Sequence, residues 1–296
     1  MNMTAGKISR QIFLFSLPII AMNILNQAYG IIDTALVARY LGDDALTVIS
    51  VSSSVMSVAY CLISGMSASC HIMIANCYGS GNNDKVKDSL KTILITSEIL
   101  SVIISLICLL FSDTFLFLSK VPEEYITKAG RVMRLYAVSL VGQAVAMVYL
   151  GALEGMGDSR TPMYVTVTSQ IGNILLDIIF LKYMHLDVEW AAIASDFSIV
   201  VTAIVSLLIT QRKIRVLSHK KGEFNSGVFK NCLTITLPSM LQQAIMAFGA
   251  VILQAVVNPR GGTYINGYVA ACLINSLLII PIICYTSSLE TFASQN

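Results

Sequence analysis

The chain has 296 residues, of which 55% are apolar and only 12% charged, with a mean hydropathy of +0.74. Soluble domains carry about 25% charge, so a water-soluble fold is excluded because too few polar groups exist to cover its surface. The formal net charge of +2 gives no strongly basic or acidic face, and nucleic acid is excluded as a partner.

Apolar runs of about 20 residues or more, the length that crosses a bilayer core, recur along the chain. The first covers 12–37; it is too long for a signal peptide and has no small-residue cleavage site, so it reads as a span. The second, 45–78, is long and rich in Ser and other small residues. The third covers 92–111. The fourth, 125–155, begins with a polar turn holding Lys128, Arg131 and Arg134. The fifth covers 162–183 and the sixth 190–210. A basic stretch follows, with Arg212, Lys213, Arg215, Lys220 and Lys221. The seventh span is 228–257 and the eighth 264–291. The fold expected is therefore all-α and polytopic.

The loops orient the spans. With the N-terminus and loops 2–3, 4–5 and 6–7 on one side, that side holds 12 of the 19 Lys and Arg residues and the other side 7. Basic loops stay in the cytoplasm, which predicts a cytoplasmic N-terminus in the cell membrane. The seven cysteines lie in or beside apolar runs with no Cys-x-x-Cys and no Cys/His ligand spacing, and read as small buried hydrophobes.

Leu17-Pro18 in the first span recurs as Leu237-Pro238 in the seventh, and Gly30 and Gly249 follow the two prolines by 12 and 11 residues. Internal repeats are a common transporter construction. The spacing predicts a six-helix unit over 1–211, a basic cytoplasmic linker over 212–227, and the first two helices of a second, incomplete unit over 228–296. On this reading the chain is a C-terminally truncated form of a protein of about 12 spans, half of which fills 1–211.

Ionisable groups inside spans are costly, so each is a functional candidate. Asp33 lies about two-thirds of the way along the first span. Asn173 and Asp177 sit four residues apart in the fifth span and share a helix face. Asp196, beside Ser195, is in the sixth. Buried carboxylates with amide and hydroxyl oxygens nearby offer a site for H⁺, or for Na⁺ with hard oxygen ligands. Glu98 is expected to reach the near interface, and Glu154 to end a helix beside a glycine-rich turn. That stretch, 151–162, lacks the Gly-Lys-Ser/Thr ending of a phosphate loop and follows a helix rather than a strand, so it reads as a tight turn. No Ser-His-Asp arrangement and no clustered histidines appear, so neither an enzyme nor a metal cofactor is expected.

These residues resemble the multidrug and toxic compound extrusion (MATE) family, and most closely its prokaryotic DNA-damage-inducible branch. The likeness is carried by Leu17-Pro18-Ile19-Ile20, Asp33-Thr34 and Gly42, by Gly155-Met156-Gly157-Asp158-Ser159-Arg160-Thr161-Pro162-Met163, by Asn173-Ile174-Leu175-Leu176-Asp177, by Ala191-Ala192-Ile193-Ala194-Ser195, and by Leu237-Pro238. The resemblance implies two six-helix bundles around a central cavity, working by alternating access as an antiporter that exports small organic cations against H⁺ or Na⁺, and a monomer in the lipid bilayer. It places a cation site on Asp33, Asn173, Asp177 and Ser195, where Ser keeps the hydroxyl of the family's usual Thr but loses its methyl. It also places Tyr29, and Tyr136 as the nearest match to a second tyrosine, on the substrate cavity. The family's acid in the seventh span is not met; Gln242, Gln243 and Gln254 occupy that helix. The alternatives are a flippase for lipid-linked glycans, which the lack of Lys or Arg inside spans 1, 5, 7 and 8 disfavours, and a truncated membrane protein that does not transport.

Overall fold

The computed structural model describes residues 8–119, 121, 123–217, 222–257 and 262–295. Lys7, Lys120, His219, Lys220, Lys221 and Arg260 lie outside these described residues, as do the side chains of Arg10, Gln254 and Cys272. The described chain forms eight helices: α1 (Ile8–Leu41), α2 (Asp43–Gly79), α3 (Asn83–Leu118), α4 (Glu123–Gly155), α5 (Arg160–Asp177), α6 (Val188–Leu217), α7 (Ser226–Val257) and α8 (Gly262–Gln295). A π-helical segment, Ile178–Tyr183, continues α5. All eight are long and apolar enough to cross a membrane. The turns between them are short, so successive helices run antiparallel.

Most helices are longer than the apolar runs that announce them. The third run begins at 92, but α3 begins at Asn83, where the Asn82 side chain accepts a hydrogen bond from the Lys85 backbone N–H and caps it. The sixth run ends at 210, but α6 continues to Leu217. Arg212, Lys213 and Arg215, expected in a linker, therefore form its last turns. Hydropathy marks only the part of a helix inside hydrocarbon, whereas the backbone ladder continues into the interface.

α3 shows how such a helix packs. It buries Ser89, Thr92, Thr96, Ser97, Ser101, Ser105 and Ser112 and exposes Ile99, Val102, Ile103, Leu106 and Leu110. Lipid is as apolar as Leu, so helices associate through small residues and hydrogen bonds rather than through apolar burial. Ser105 Oγ donates to the Ala137 carbonyl of α4 at 2.6 Å. α4 is the hub, packed on α2, α3 and α6; α5 lies against α6 and α1. The cysteines behave as expected from the sequence: Cys70, Cys108, Cys232 and Cys284 are buried, and the six described are free thiols.

α7 docks on α2, and α8 on α1 and α2, while α7 and α8 barely touch. Hydrogen bonds close this seam from mid-helix to the ends that carry the N-terminus. Thr236 Oγ1 donates to Ser69 Oγ at 2.7 Å, Gln243 to Ser64 Oγ at 3.1 Å, and Gln295 to the Gly155 carbonyl at 2.8 Å. His71 pairs with Thr291 Oγ1. Phe15, Ile19 and Cys284 form an apolar cluster beside Ile280 and Phe292. At the far end of α7, Ile252, Leu253 and Val256 are exposed.

The glycine-rich stretch is the tight turn expected from the sequence: α4 stops at Gly155, Gly157 takes a φ of +78°, and α5 starts at Arg160. Asp158 fixes it, accepting from the Thr161 backbone N–H at 3.1 Å, from Thr161 Oγ1 at 2.7 Å and from Lys213 Nζ of α6 at 2.8 Å. Burial alone would push this carboxyl up, but the Lys213 ammonium and the Thr161 donors outweigh it and hold it below its ordinary value. A depressed folded-state value contributes stability that is present above the unfolded carboxyl range, about pH 4, and is lost as pH falls through the folded value. Asp158→Asn is therefore expected to lower the melting temperature near pH 7, with the difference shrinking as the sample is acidified to about pH 3. Melting curves of the detergent-purified chain across that range check this. A deficit that is the same at every pH contradicts it.

Candidate functional site

Three helices bring polar side chains to one place. On α1, Asn26, Tyr29 and Asp33 fall at successive near-integral turns. On α5, Ser169, Asn173 and Asp177 repeat every four residues, and on α6, Ser195, Ser198 and Thr202 repeat at three and four. Each set lies on a single helix face, and the faces meet where α5 packs against α1 and α6. Directly after Asp177 the backbone changes to the π-helical segment, a local widening that recurs at functional positions.

Tyr29 Oη donates to Asn173 Oδ1 at 2.6 Å and lies within hydrogen-bonding reach of Ser195. Asp33 and Asp177 face each other closely enough to interact. Asn173 is 1% exposed and Asp177 is fully buried. Among the described residues, Asn173 Nδ2 and both carboxyl oxygens of Asp177 have no hydrogen-bond partner. Buried polar groups are nearly always paired, and an ionised carboxylate left unpaired in a dry site costs several kcal/mol. Two such carboxyl groups side by side either share a proton, which leaves one charge on the pair, or need a cation between them. The donor set, two carboxyls, an amide oxygen and a hydroxyl, suits H⁺ or a hard cation such as Na⁺.

The structure thus brings Asp33, Asn173, Asp177, Ser195 and Tyr29 together. Tyr136 of α4 lies beside them, within electrostatic reach of Asp33 and Tyr29. Asp196 lies within reach of Ser139 and Tyr136 of α4 and of Tyr60 of α2, and its Oδ1 is buried without a partner among the described residues. Glu98, a half-buried side chain of α3, likewise keeps Oε1 without a partner among the described residues. The wider polar setting was not singled out from sequence. Gln170 donates to Asn26 Oδ1, and Thr202 donates to Ser169 Oγ at 2.5 Å. Their signal was the helical spacing of the three polar rows.

A profile of the MatE family matches residues 18–179. The probable multidrug resistance protein YoeA of Bacillus subtilis (strain 168) is 23% identical over 299 residues, covering 97% of this chain and 64% of its own length. DNA damage-inducible protein F of Escherichia coli (strain K12) is 26% identical over 242 residues, covering 80% of this chain and 52% of its own. Among solved structures, a MATE protein crystallised with the ligand MaL6 aligns with a TM-score of 0.88 at 23% identity, covering 98% of this chain and 65% of that one. An outward-facing multidrug resistance MATE transporter aligns with a TM-score of 0.86 at 24% identity, over 97% of this chain and 64% of that one. The chain therefore spans between about half and two thirds of the length of these relatives.

Proposed function

Since the chain belongs to the MatE family, we propose that it serves in cation-coupled export of small organic cations across the cell membrane, with its N-terminus in the cytoplasm and as a monomer. Asp33, Asn173, Asp177 and Ser195 hold the coupling ion, H⁺ or Na⁺, and Tyr29 orients Asn173. The observation that carries this reading is the fully buried Asp177, its two carboxyl oxygens unpartnered among the described residues and facing Asp33. A site kept short of partners is ready for an ion that comes and goes. Coupling then requires that the ion and the exported cation differ in affinity for the two transport states.

The test is efflux of a fluorescent organic cation from proteoliposomes with an imposed proton or sodium gradient. Efflux that follows one of these gradients supports the reading. Efflux indifferent to both, or none with either, contradicts it.

Tyr29→Phe removes the hydroxyl that donates to Asn173 Oδ1. A net hydrogen bond is worth about 1 kcal/mol, so ion affinity is expected to fall roughly fivefold. Titration of the purified variant with Na⁺ and with acid measures this, and an affinity equal to wild type contradicts the role given to Tyr29.

A further inference from the structure

A cavity of about 460 Å³ runs inside the first six helices. One end is formed by Tyr29, Asn173 and Ser195, which also belong to the candidate ion site. The other reaches Glu154 in the last turn of α4 and Pro162 in the first turn of α5, at the membrane face that carries the N-terminus. From Pro162 to Asn173 is 11 residues along the helices, or about 16 Å of rise, which is roughly half of a hydrocarbon core.

The wall between the two ends is mixed: Met22, Ala146, Met147, Leu150 and Ile199 give it apolar patches, and hydroxyl and amide side chains run between them. They include Gln143, Thr166, Ser169, Gln170 and Thr202. A cavity of this size with several hydroxyl and amide groups on its wall has room and partners for water. Among the described residues, Glu154 is the sole acid on the wall and no Lys or Arg lines it, so the field inside favours cations. Toward the same membrane face the cleft between α1–α6 and α7–α8 is shut by the Ser69–Thr236 and Gln295–Gly155 contacts, with Gln243–Ser64 bridging it at mid-helix. Packing leaves no slack there, since a Cβ built on Gly65 would stand 2.7 Å from Met240 Cα.

We propose that the coupling ion exchanges with the N-terminal side of the membrane through this cavity, within the first six helices, by a route separate from the cleft that carries the organic cation. The proposal rests on the assignment of the ion site to Asp33 and Asp177. It explains why the polar rows of α5 and α6 continue beyond that site toward one face only. It also lets the ion equilibrate while the cleft is closed on that side.

The experiment uses Ag⁺, a thiol-reactive monovalent ion, on the full chain with its native cysteines replaced by Ala or Ser. Ser69→Cys and Thr236→Cys, joined as a disulfide, lock the seam. Single reporter cysteines are placed at Thr166, near the N-terminal mouth, and at Ser198, near the ion site, in membrane vesicles of both orientations. With the seam locked, both reporters are expected to be blocked by Ag⁺ from the N-terminal side, and adding Thr166→Leu is expected to abolish the block at position 198. Protection of both reporters until the seam is unlocked, or a block from the opposite side alone, overturns the proposal. A second measurement needs no substitution. A water-soluble carbodiimide with an amine, applied to the N-terminal side of the unmodified chain, is expected to label Glu154, as read by mass spectrometry; an unlabelled Glu154 overturns the hydrated path. Neither readout requires transport, so the path stands or falls apart from the ion-site assignment, which gradient-driven efflux tests.

Discussion

Asp177→Asn abolishes the response of efflux to an imposed ion gradient while leaving the chain folded and inserted. The amide has the size of the carboxyl but takes up neither a proton nor a negative charge at any working pH. Asp177 is fully buried, and neither of its oxygens has a well-formed hydrogen bond among the described residues, so what the substitution removes is its interaction with Asp33. Replacing a partnerless buried acid with a neutral group is neutral or stabilising. The expected pattern is therefore divided: gradient dependence disappears and the melting temperature stays level or rises. Efflux from proteoliposomes and thermal melts of the same preparation read the two halves. A variant that loses efflux because it melts early places Asp177 in the fold rather than in coupling, and one that keeps gradient-driven efflux removes it from the ion site. Asp33→Asn is expected to follow the same pattern, since the two carboxyl groups act on each other.

Gly65→Val opens the seam on the N-terminal side. The added Cβ would lie 2.7 Å from both Cα and N of Met240 and 3.0 Å from the Ser239 carbonyl carbon. All three are backbone atoms of α7, so no side chain can rotate away, and the helix itself has to move. Overpacking of this kind costs about 1–3 kcal/mol, which shifts a two-state equilibrium by about 5- to 150-fold. The Thr236–Ser69 hydrogen bond, ten residues from the N-terminal-side end of each helix, is the nearest reporter of that shift. Formation of a disulfide between Ser69→Cys and Thr236→Cys is expected to be fast in the Gly65 background and to slow in the Gly65→Val background. Equal rates in the two contradict the account of the seam.

The sequence made the spans and the ion-site residues legible for different reasons. Spans are a matter of composition, and hydropathy reports composition directly. It failed at helix ends, as at Asn83 and Leu217, because polar helical turns outside hydrocarbon carry no apolar signal. Asp33 and Asp177 stood out because acids are rare in spans. Asn173 and Ser195 followed from spacing and from the family resemblance. Asn26, Gln170, Ser169 and Thr202 are ordinary polar residues one at a time, and only their alignment in rows on α1, α5 and α6 marks them. Glu154 lies in the last turn of α4, as its place before the glycine-rich turn implies; that it also lines the cavity was not legible, because the direction of a side chain depends on which helices surround it. The seam was not legible at all. That α7 docks on α2 and α8 on α1 and α2 is a tertiary outcome, set by close approaches such as Gly65 on Met240 that no local pattern announces.

The central claim is that the group formed by Asp33, Asn173, Asp177 and Ser195 binds one coupling ion. Ion uptake by the purified chain tests this most directly, measured as binding of radioactive sodium and as proton uptake after a pH jump, in wild type beside Asp33→Asn and Asp177→Asn. The account predicts saturable uptake of one ion per chain in wild type, by one of the two measures, and its loss in each variant. Equal uptake in all three proteins would contradict it.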